Sequence, residues 1–360
     1  MPMSNDSSEN ARTDITDTSE ELGKVFSRAS FWPVDNIVAQ SAWLEHAPFA
    51  FWLVDALRPR TFVELGTHGG FSYFAFCQAV QRLQINTRCY AVDTWEGDEH
   101  SGKYSEAVFQ SVKTHNDDNY SMFSSLVRST FDEACSHFSD GTVDLLHIDG
   151  RHFFEDVNHD FESWKPKLSD RAVVVFHDTN VRERGFGVYK LWETLRESYP
   201  SLEFLHGHGL GILGVGKELP TAMNAVFELA KSENEIGPIR EMYARLGAVI
   251  KAESDIRLKQ EILDEKTREL NESARHIQSL ELEIEDKSRL NDSLTNEISA
   301  LKTKLSELTD TVDELQNELS QKASKIAAYE HSSSWRITAP CRFLWTQVRN
   351  ILKKFASSQK

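Results

Sequence analysis

The sequence has no uninterrupted run of about 18 apolar residues, the length that a membrane-spanning helix requires. It has only four cysteines and no CxxC pair, so a structural metal knuckle is excluded and a reducing, cytoplasmic compartment is expected. The first residues lack the basic start and apolar run of a secretion signal. Positive charge is also scarce, and a net charge of −16 argues against general nucleic-acid binding.

The composition changes along the chain and predicts five regions. Residues 1–25 are rich in Ser, Asp, Asn and Glu and are predicted to be disordered. Residues 26–218 alternate short apolar runs with helical patterns, and residues 219–252 follow as a helical linker. Residues 253–330 hold a heptad repeat. Residues 331–360 carry six bases and no acid, which is typical of an interaction tail.

The region over residues 26–218 is predicted to have an α/β fold. Apolar runs that alternate with helical segments indicate a parallel sheet with helices on both faces. Two further runs flank the segment His206-Gly-His-Gly and predict a terminal hairpin. The five runs that precede this hairpin are Thr61–Leu65, Arg88–Val92, Ser124–Arg128, Val143–Ile148 and Ala172–His177.

Every seventh residue from Ile256 to Ile326 is aliphatic except Asn291, and leucines follow several of these positions three residues later, at 280, 294, 301, 308 and 315. This pattern predicts a left-handed coiled coil, and Asn291 in the core favours a parallel two-stranded dimer. The alternative is a long amphipathic helix packed on the globular domain. At 1.5 Å per residue the seam is about 105 Å long, which is much longer than one domain face.

The last segment is predicted to restart as a helix near Pro340, with one apolar side and several bases. Such a helix suits a membrane surface or the groove of a partner protein, and the alternative is that it folds back on the coil. The residues assigned to its apolar side are Phe343, Leu344, Val348, Ile351, Leu352 and Phe355.

A glycine-containing turn follows the first apolar run, with Gly66 and the pair Gly69-Gly70 ahead of Ser72. Glycines where a strand enters a helix let the backbone approach a ligand, and the helix N-terminus presents N–H groups to an anion. The spacing is not GxGxxG, which disfavours a nicotinamide-type site. An ordinary tight turn between strand and helix is the alternative.

Asp93 ends the second apolar run, a little over twenty residues after Gly70. An acid at this place in an open α/β sheet can bind the hydroxyls of a ribose. The alternative is a carboxylate that only caps a turn.

Two neighbouring strands are predicted to end at Asp149 and at the pair His177-Asp178. The carboxyl ends of parallel strands meet at one edge of the sheet, so these carboxylates should converge. Converging carboxylates suit a hard cation such as Mg²⁺. His152 lies three residues after Asp149, close enough to reach the same substrate oxygen.

Residues 60–216 resemble the S-adenosylmethionine (SAM)-dependent methyltransferases related to macrocin O-methyltransferase and to catechol-type, metal-dependent O-methyltransferases. The resemblance is strongest to bacterial members found among glycan-assembly enzymes. It implies a Rossmann-like, seven-stranded class I methyltransferase sheet, here followed by the coiled coil. The phrases that carry the resemblance are Val63-Glu-Leu-Gly-Thr-His-Gly-Gly-Phe-Ser72, Val92-Asp-Thr-Trp-Glu-Gly-Asp98, His147-Ile-Asp-Gly-Arg-His152, Phe176-His-Asp-Thr-Asn180 and His206-Gly-His-Gly-Leu210.

The resemblance also implies roles for individual residues. His152 would be the general base, and Asp149, His177 and Asp178 would hold a divalent cation, with Mg²⁺ expected. The relatives usually have an acid where His177 stands, so three alternatives are open: this histidine lies behind the ligands, the metal is Mn²⁺-like, or the site works without a metal. The residues expected to bind SAM are Glu64, Gly66, Gly69, Gly70, Ser72 and Asp93, with Ser129 to Phe131 near the adenine.

The implied reaction is methyl transfer to a sugar hydroxyl of a bacterial glycan or nucleotide-sugar. Two alternatives are an oxygenase like the cephalosporin hydroxylases and a non-catalytic coiled-coil scaffold. The tail phrase Trp335-Arg-Ile-Thr-Ala-Pro resembles terminal segments of some bacterial glycosyltransferases, so a peripheral place at the inner face of the plasma membrane is expected. Residues expected in loops around the acceptor are Trp95, Asp98, His100, Asn180 and Arg182.

Overall fold

The computed structural model describes residues 25–36, 41–98 and 102–357. Apart from Val25, the tail predicted to be disordered lies outside these residues. The chain divides into two compact units, Met1–Glu265 and Lys266–Lys360.

The first unit is built on a seven-stranded sheet with the strand order β3-β2-β1-β4-β5-β7-β6. The strands β1 to β5 run parallel, and β7 pairs antiparallel with both β5 and β6. This is the arrangement of a Rossmann-like class I methyltransferase sheet, and it confirms the predicted fold class. The strands are β1 (Thr61–Leu65), β2 (Arg88–Asp93), β3 (Ser124–Arg128), β4 (Val143–Ile148), β5 (Leu168–His177), β6 (Ser201–Phe204) and β7 (Leu210–Gly214).

Helices cover both faces of the sheet, because successive side chains of each strand point to opposite faces. In β1, Phe62 enters one apolar cluster and Val63 enters the other. The helices of this unit that precede the long C-terminal helix are α1 (Ala47–Leu57), α2 (Phe71–Arg82), α3 (Glu106–Asn119), α4 (Phe131–Cys135), α5 (Phe154–Trp164), α6 (Val188–Leu195) and α7 (Thr221–Leu229).

The strand order brings the predicted motifs to one edge of the sheet. The last residue of β1, Leu65, pairs with Val92 of β2 on one side and with Ile148 of β4 on the other. Ile148 in turn pairs with Phe176 of β5. The connections after β1 and β4 therefore diverge at a topological switch point, where open α/β sheets bind ligands.

A long helix, α8 (Glu233–His331), follows α7. In its first part, Ile236, Tyr243 and Ile250 are buried in the same apolar cluster as α1 and α2. A Cβ atom at Gly247 would lie 2.1 Å from the carbonyl oxygen of Glu45, so glycine permits this close approach. The segment predicted as a helical linker, 219–252, is thus helical but packs into the core of the first unit.

The second unit consists of the remainder of α8, the short α9 (Ser333–Ile337) and α10 (Ala339–Ser357). The heptad residues of α8 in this unit are exposed. In α10, Leu344, Val348 and Ile351 share one side at helical spacing, whereas Phe343 falls among polar positions. The assignment of Phe343 to the apolar side was therefore wrong. No described helix is long and apolar enough to cross a membrane.

Candidate active site

The turn after β1 brings its backbone against the end of β4. Gly66 has φ +88°, and a Cβ atom there would lie 2.1 Å from the carbonyl oxygen of Asp149. Gly70 has φ +82° and is the residue from which α2 begins. The turn therefore needs glycine for conformation at both positions and for space at Gly66, and it leaves the N-terminus of α2 open to a ligand.

Asp93 organises this turn. Its Oδ2 atom accepts hydrogen bonds from the backbone N–H groups of Thr67 at 2.8 Å and His68 at 2.9 Å, and its Oδ1 accepts one from Trp95 at 2.7 Å. A carboxylate offers about four acceptor positions, so one more hydroxyl can be bound. The predicted ribose contact fits, and the same carboxylate also fixes the loop.

Glu64 lies behind the turn, not on the surface of the cavity. It is fully buried, and its Oε2 atom lies 2.8 Å from Nδ1 of His147. The indole of Trp43 donates to Nε2 of the same imidazole at 3.2 Å. The direct SAM contact predicted for Glu64 stays a prediction, because this structure gives the residue a supporting position.

Asp149, His152 and Asp178 converge at the ends of β4 and β5. Nε2 of His152 lies 2.9 Å from Oδ2 of Asp178 and 3.8 Å from Oδ1 of Asp149. The ring of His152 stacks on Phe186, with 4.4 Å between centroids and 15° between planes. Asp178 itself has φ +60°, a strained conformation that occurs preferentially at functional sites.

His177 has a different position from the one predicted for a metal ligand. Its Nε2 atom donates to the carbonyl oxygen of Gly207 at 3.1 Å, and its Nδ1 lies 3.3 Å from Asp149 and 3.5 Å from Asp178. The ligand atoms close enough to share one ion belong instead to Asp149, His152 and Asp178. His177 thus lies behind the carboxylates as their buried partner.

The cluster strongly perturbs the ionisation of its members. Burial opposes the charged forms, but the proximity of His177 and His152 outweighs burial and holds the pKa values of Asp149 and Asp178 well below the usual range. Burial likewise opposes protonation of His152, but hydrogen bonding of its ring to the carboxylates of Asp149 and Asp178, with their negative charge, raises its pKa to about 9. The pKa of His177 is also raised, because its neighbours Asp178 and Asp149 outweigh burial.

The chemistry of this cluster fits a divalent cation. Oδ1 of Asp178 is buried and accepts no hydrogen bond of good geometry from the described residues, although Nδ1 of His208 lies 3.3 Å away. Carboxylate oxygens are the ligands that Mg²⁺ prefers, and an imidazole beside them is also compatible with Mn²⁺.

The glycine turn and the carboxylate cluster line one cavity of about 570 Å³. The hydroxyl of Thr67 in its wall is buried and makes no hydrogen bond with a described residue, so it can serve a ligand. The lining residues predicted as site residues are Gly66, Gly69, Gly70, Ser72, Asp93, Phe131, Asp149, His152, His177 and Asp178. Other residues in the lining, which sequence analysis did not assign to the site, are Trp43, His68, Arg151, Arg184, Phe186 and His208.

The remaining predicted residues lie elsewhere. Trp95 is 2% exposed and its indole donates to the carbonyl oxygen of His68, so it supports the loop without lining the cavity. Asn180 donates to the carbonyl of Leu205, and Arg182 pairs with Glu193. The hydroxyl of Ser129 donates to Thr130 and Glu133, whereas its neighbour Phe131 lines the cavity. The side chain of Asp98 and the whole of His100 lie outside the described residues.

The residues that sequence analysis missed come from loops without a motif. Arg184 and Phe186 lie between β5 and α6, where no spacing rule links them to the sheet edge. His208 belongs to the glycine-rich hairpin turn, and its φ of +72° between two left-handed glycines brings its ring beside Asp178. The repeated His-Gly pairs could have indicated this position.

Residues 63–179 match a family model described as "Methyltransferase domain". The chain is 59% identical over 179 residues to the uncharacterized protein y4gI of Sinorhizobium fredii, a match that covers 50% of this chain and 20% of that protein. The chain thus spans about a fifth of the length of this relative. The family match supports a SAM-dependent methyltransferase domain over residues 63–179.

The solved structures that this chain matches include two methyltransferases of low sequence identity and low TM-score. A methyltransferase from Geobacter sulfurreducens has 15% identity and a TM-score of 0.36, covering 59% of this chain and 91% of its own. The O-methyltransferase TomG from Streptomyces achromogenes, involved in tomaymycin synthesis and solved with SAM, has 13% identity and a TM-score of 0.36, covering 56% and 96%. At such identities the substrates of these proteins do not transfer to the present chain.

Proposed function

We propose that this chain is a SAM-dependent O-methyltransferase whose reaction is assisted by a divalent cation. The observation that carries the proposal is the single cavity in which the glycine turn, Gly66 to Gly70, faces Asp149, His152 and Asp178. One half of this cavity has the features of a nucleotide-like donor site, and the other half can bind and deprotonate a hydroxyl group. The family match over residues 63–179 supports the same reading.

The donor half binds through backbone and a few polar side chains. The N-terminus of α2 presents N–H groups to a carboxylate, and the spare acceptor position of Asp93 suits a ribose hydroxyl. Phe131 supplies an apolar surface for a base. When bound, SAM supplies a methyl group activated by its sulfonium.

In the acceptor half of the cavity, the carboxylates of Asp149 and Asp178 lie together in one small, largely buried cluster. The imidazoles of His152 and His177 face these two charges, and the geometry of Asp149 and Asp178 also allows both carboxylates to bind one ion. A cation held there supplies Lewis-acid chemistry, lowering the pKa of a bound hydroxyl group.

His152 is the group that moves the proton. Its Nε2 atom faces the acceptor half, and stacking on Phe186 holds the ring in place. Once a cation balances Asp149 and Asp178, Nε2 can accept the proton of the attacking hydroxyl. The reaction forms one carbon–oxygen bond and breaks one carbon–sulfur bond, and alignment of the reacting atoms contributes much of the rate.

The acceptor proposed here is a sugar hydroxyl on a glycan or nucleotide-sugar. Trp43, Tyr104 and Phe186 provide aromatic surface in the cavity wall, and Arg184 and His208 provide polar groups. A pocket of aromatic faces with a few polar groups suits a carbohydrate ring. Support also comes from the resemblance to bacterial glycan-modifying methyltransferases.

The test uses the purified full chain with isotopically labelled SAM, Mg²⁺ or Mn²⁺, and candidate nucleotide-sugars and glycans. We expect an acceptor whose mass increases by one methylene group and a loss of turnover in Asp178→Asn. The matched control is Asp132→Asn, which removes a carboxylate that pairs with His159 on the surface.

Two results would count against the proposal. A product heavier by one oxygen atom would indicate an oxygenase on the same fold. Failure of the full chain to bind SAM in a calorimetric titration would favour a scaffold that only retains the fold.

A further inference from the structure

An aliphatic stripe runs along α8 within the second unit. Its first row repeats every seven positions from Ile277 to Ile326 and is aliphatic except at Asn291. A second row, three residues later, holds leucine at positions 280, 294, 301, 308 and 315 and is interrupted by Lys287. The aliphatic side chains of both rows are between 44% exposed at Leu280 and 70% exposed at Leu319. Within this unit no described element covers the stripe, and so long a stripe of exposed aliphatic residues requires a partner of the same pattern.

The residue types in the two rows indicate the kind of partner. The first row holds Ile277, Ile284, Ile298 and Val312, with leucine at 305 and 319, and the second row holds leucine at each of its positions from 294 to 315. β-Branched residues in the first row with leucine in the second favour two parallel strands over higher assemblies.

Asn291 distinguishes parallel from antiparallel pairing. In a parallel pair without stagger, Asn291 of one chain faces Asn291 of the other, and the two amides can hydrogen-bond. In an antiparallel pair with the same ends matched, Asn291 would face aliphatic residues near Val312, leaving a buried amide without a partner. An unsatisfied buried amide therefore disfavours the antiparallel pairing.

The charges that flank the stripe agree with the same register. In a parallel pair, each residue that precedes a first-row position faces the residue five positions later in the partner chain. This rule pairs Glu297 with Lys302 and Lys325 with Glu330 of the second chain. It gives eight such pairs between residues 276 and 330, and none of them brings two charges of the same sign together. The four residues of the two named pairs make no ion pair with a described residue of their own chain.

A shift of one heptad in either direction creates like-charge pairs. Sliding one helix forward by seven residues brings Glu318 against Glu330. Sliding it backward brings Glu283 against Glu281 and Lys304 against Lys302. Either shift also places Asn291 opposite an isoleucine, Ile284 or Ile298.

From these relations we propose that residues 277–326 pair with the same segment of a second copy of this chain, as a parallel, unstaggered, two-stranded coiled coil. The pairing is independent of the methyl-transfer reaction. It gives each assembly two catalytic units, and it covers the aliphatic stripe.

The first test is disulfide trapping in the full chain with Cys341→Ser as background, because Cys341 is exposed. Leu315 lies in the second row, so the cysteines of two Leu315→Cys chains face each other only in the proposed pairing. We expect these chains to form a covalent dimer on oxidation. Asn317→Cys, two residues away on the outer side, is the matched control and should stay monomeric on a denaturing gel. In an antiparallel pair the two Leu315→Cys thiols would be tens of ångströms apart, so absence of the covalent dimer would overturn the proposal.

The second test measures the dimer by sedimentation equilibrium. We expect the wild type at twice the chain mass of 41.1 kDa. Glu297→Lys should weaken association about tenfold, since it turns two attractive pairs into repulsive ones, and adding Lys302→Glu in the same chain should restore it. A monomeric wild type, or an association constant unaffected by Glu297→Lys, would contradict the register.

A second, independent observation concerns α10. Leu344, Val348, Ile351 and Leu352 form one exposed side, each at least 53% exposed. Arg342, Arg349 and Lys353 lie on the opposite side, and residues 331–360 contain six bases and no acid. Within its unit α10 contacts α9 rather than folding back along α8.

We infer that α10 lies on an anionic lipid surface. A helix with one apolar side, a basic opposite side and a tryptophan at position 345 binds in the headgroup region, where its bases meet lipid phosphates.

The test is co-sedimentation of the full chain with vesicles of phosphatidylglycerol and phosphatidylcholine, compared with phosphatidylcholine alone. Val348→Asp should abolish binding to the anionic vesicles. Asn350→Asp adds the same charge on the polar side and should retain most of it. A wild type that binds neither vesicle, or two variants that behave alike, would overturn the lipid assignment and favour a protein groove.

Discussion

The indole N–H of Trp43 lies 3.2 Å from Nε2 of His147, and this contact determines which nitrogen of the imidazole carries the proton. An indole nitrogen can only donate, so Nε2 must accept and Nδ1 must carry hydrogen. Nδ1 then donates to Glu64 at 2.8 Å. The three buried side chains thus form one hydrogen-bonded line behind the glycine turn.

Trp43→Phe should therefore destabilise the protein more than its volume change explains. The substitution leaves Nε2 of His147 buried without a donor, which costs about 1–3 kcal/mol. Trp164→Phe is the matched control, because Trp164 is fully buried and its indole nitrogen has no hydrogen-bond partner among the described residues. Urea unfolding measures both free energies, and equal losses would show that the hydrogen bond contributes nothing.

Gly66→Ala should abolish SAM binding and lower stability. Alanine at this position would have to keep φ +88°, and its Cβ atom would lie 2.1 Å from the carbonyl oxygen of Asp149. The ends of β1 and β4 must therefore separate at the cavity. Gly141→Ala is the control, since Gly141 also has a positive φ, +72°, but open space around it. The control variant should lose only about 1–2 kcal/mol of folding stability, because alanine is disfavoured in the left-handed backbone conformation. Equal melting temperatures for the two variants would contradict the close contact.

His152→Ala should reduce turnover by about 10²-fold or more, because it removes the proposed proton acceptor. His159→Ala removes an exposed histidine that pairs with Asp132 and should leave turnover unchanged. Cation binding, followed with Mn²⁺ by electron paramagnetic resonance, separates two roles of His152. Retained Mn²⁺ binding with lost turnover identifies a base, whereas lost Mn²⁺ binding identifies a ligand.

Asp144 predicts a specific dependence of stability on pH. It is fully buried at the start of β4 and accepts hydrogen bonds from the Arg60 side chain at 2.9 Å and from Ser169 at 2.6 Å. Burial raises the pKa of Asp144, but the hydrogen bonds from Arg60 and Ser169 outweigh it and hold the pKa below its usual value. The ionised Asp144 therefore stabilises the folded protein fully at pH values above the pKa of an aspartate in the unfolded chain, about 3.9. This stabilisation is lost as the pH falls below that value.

Asp144→Asn should lower the free energy of unfolding by about 1–3 kcal/mol at pH 7. The difference in the free energy of unfolding between this variant and the wild type should become smaller as the pH falls below about 4. Asp117→Asn is the control: it breaks an exposed pair with Lys113 and should leave the free energy of unfolding nearly unchanged. A gap between wild type and Asp144→Asn that is constant from pH 7 to pH 3 would contradict the assigned ionisation.

The local patterns of the sequence were sufficient for the strands and the glycine turn. Strand and helix periods are short-range properties, so β1 to β5 were predicted within a few residues of their observed bounds. The turn at Gly66 was recognisable because only glycine combines a left-handed backbone with so close a neighbour. The long helix α8 could also be predicted from the sequence, because its seven-residue repeat is a property of the helix alone.

The sequence by itself determined the order of elements, the sheet edge at which the candidate site lies and the carboxylates that gather there. Only the tertiary structure decided which histidine joins them. His152 lies three residues after Asp149 and His177 directly precedes Asp178, but the hydrogen bond to Gly207 turns His177 behind the cluster, and Phe186 holds His152 in front of it. The hairpin and the loop before α6 supply these contacts, and residues so distant in the chain meet only when the sheet packs.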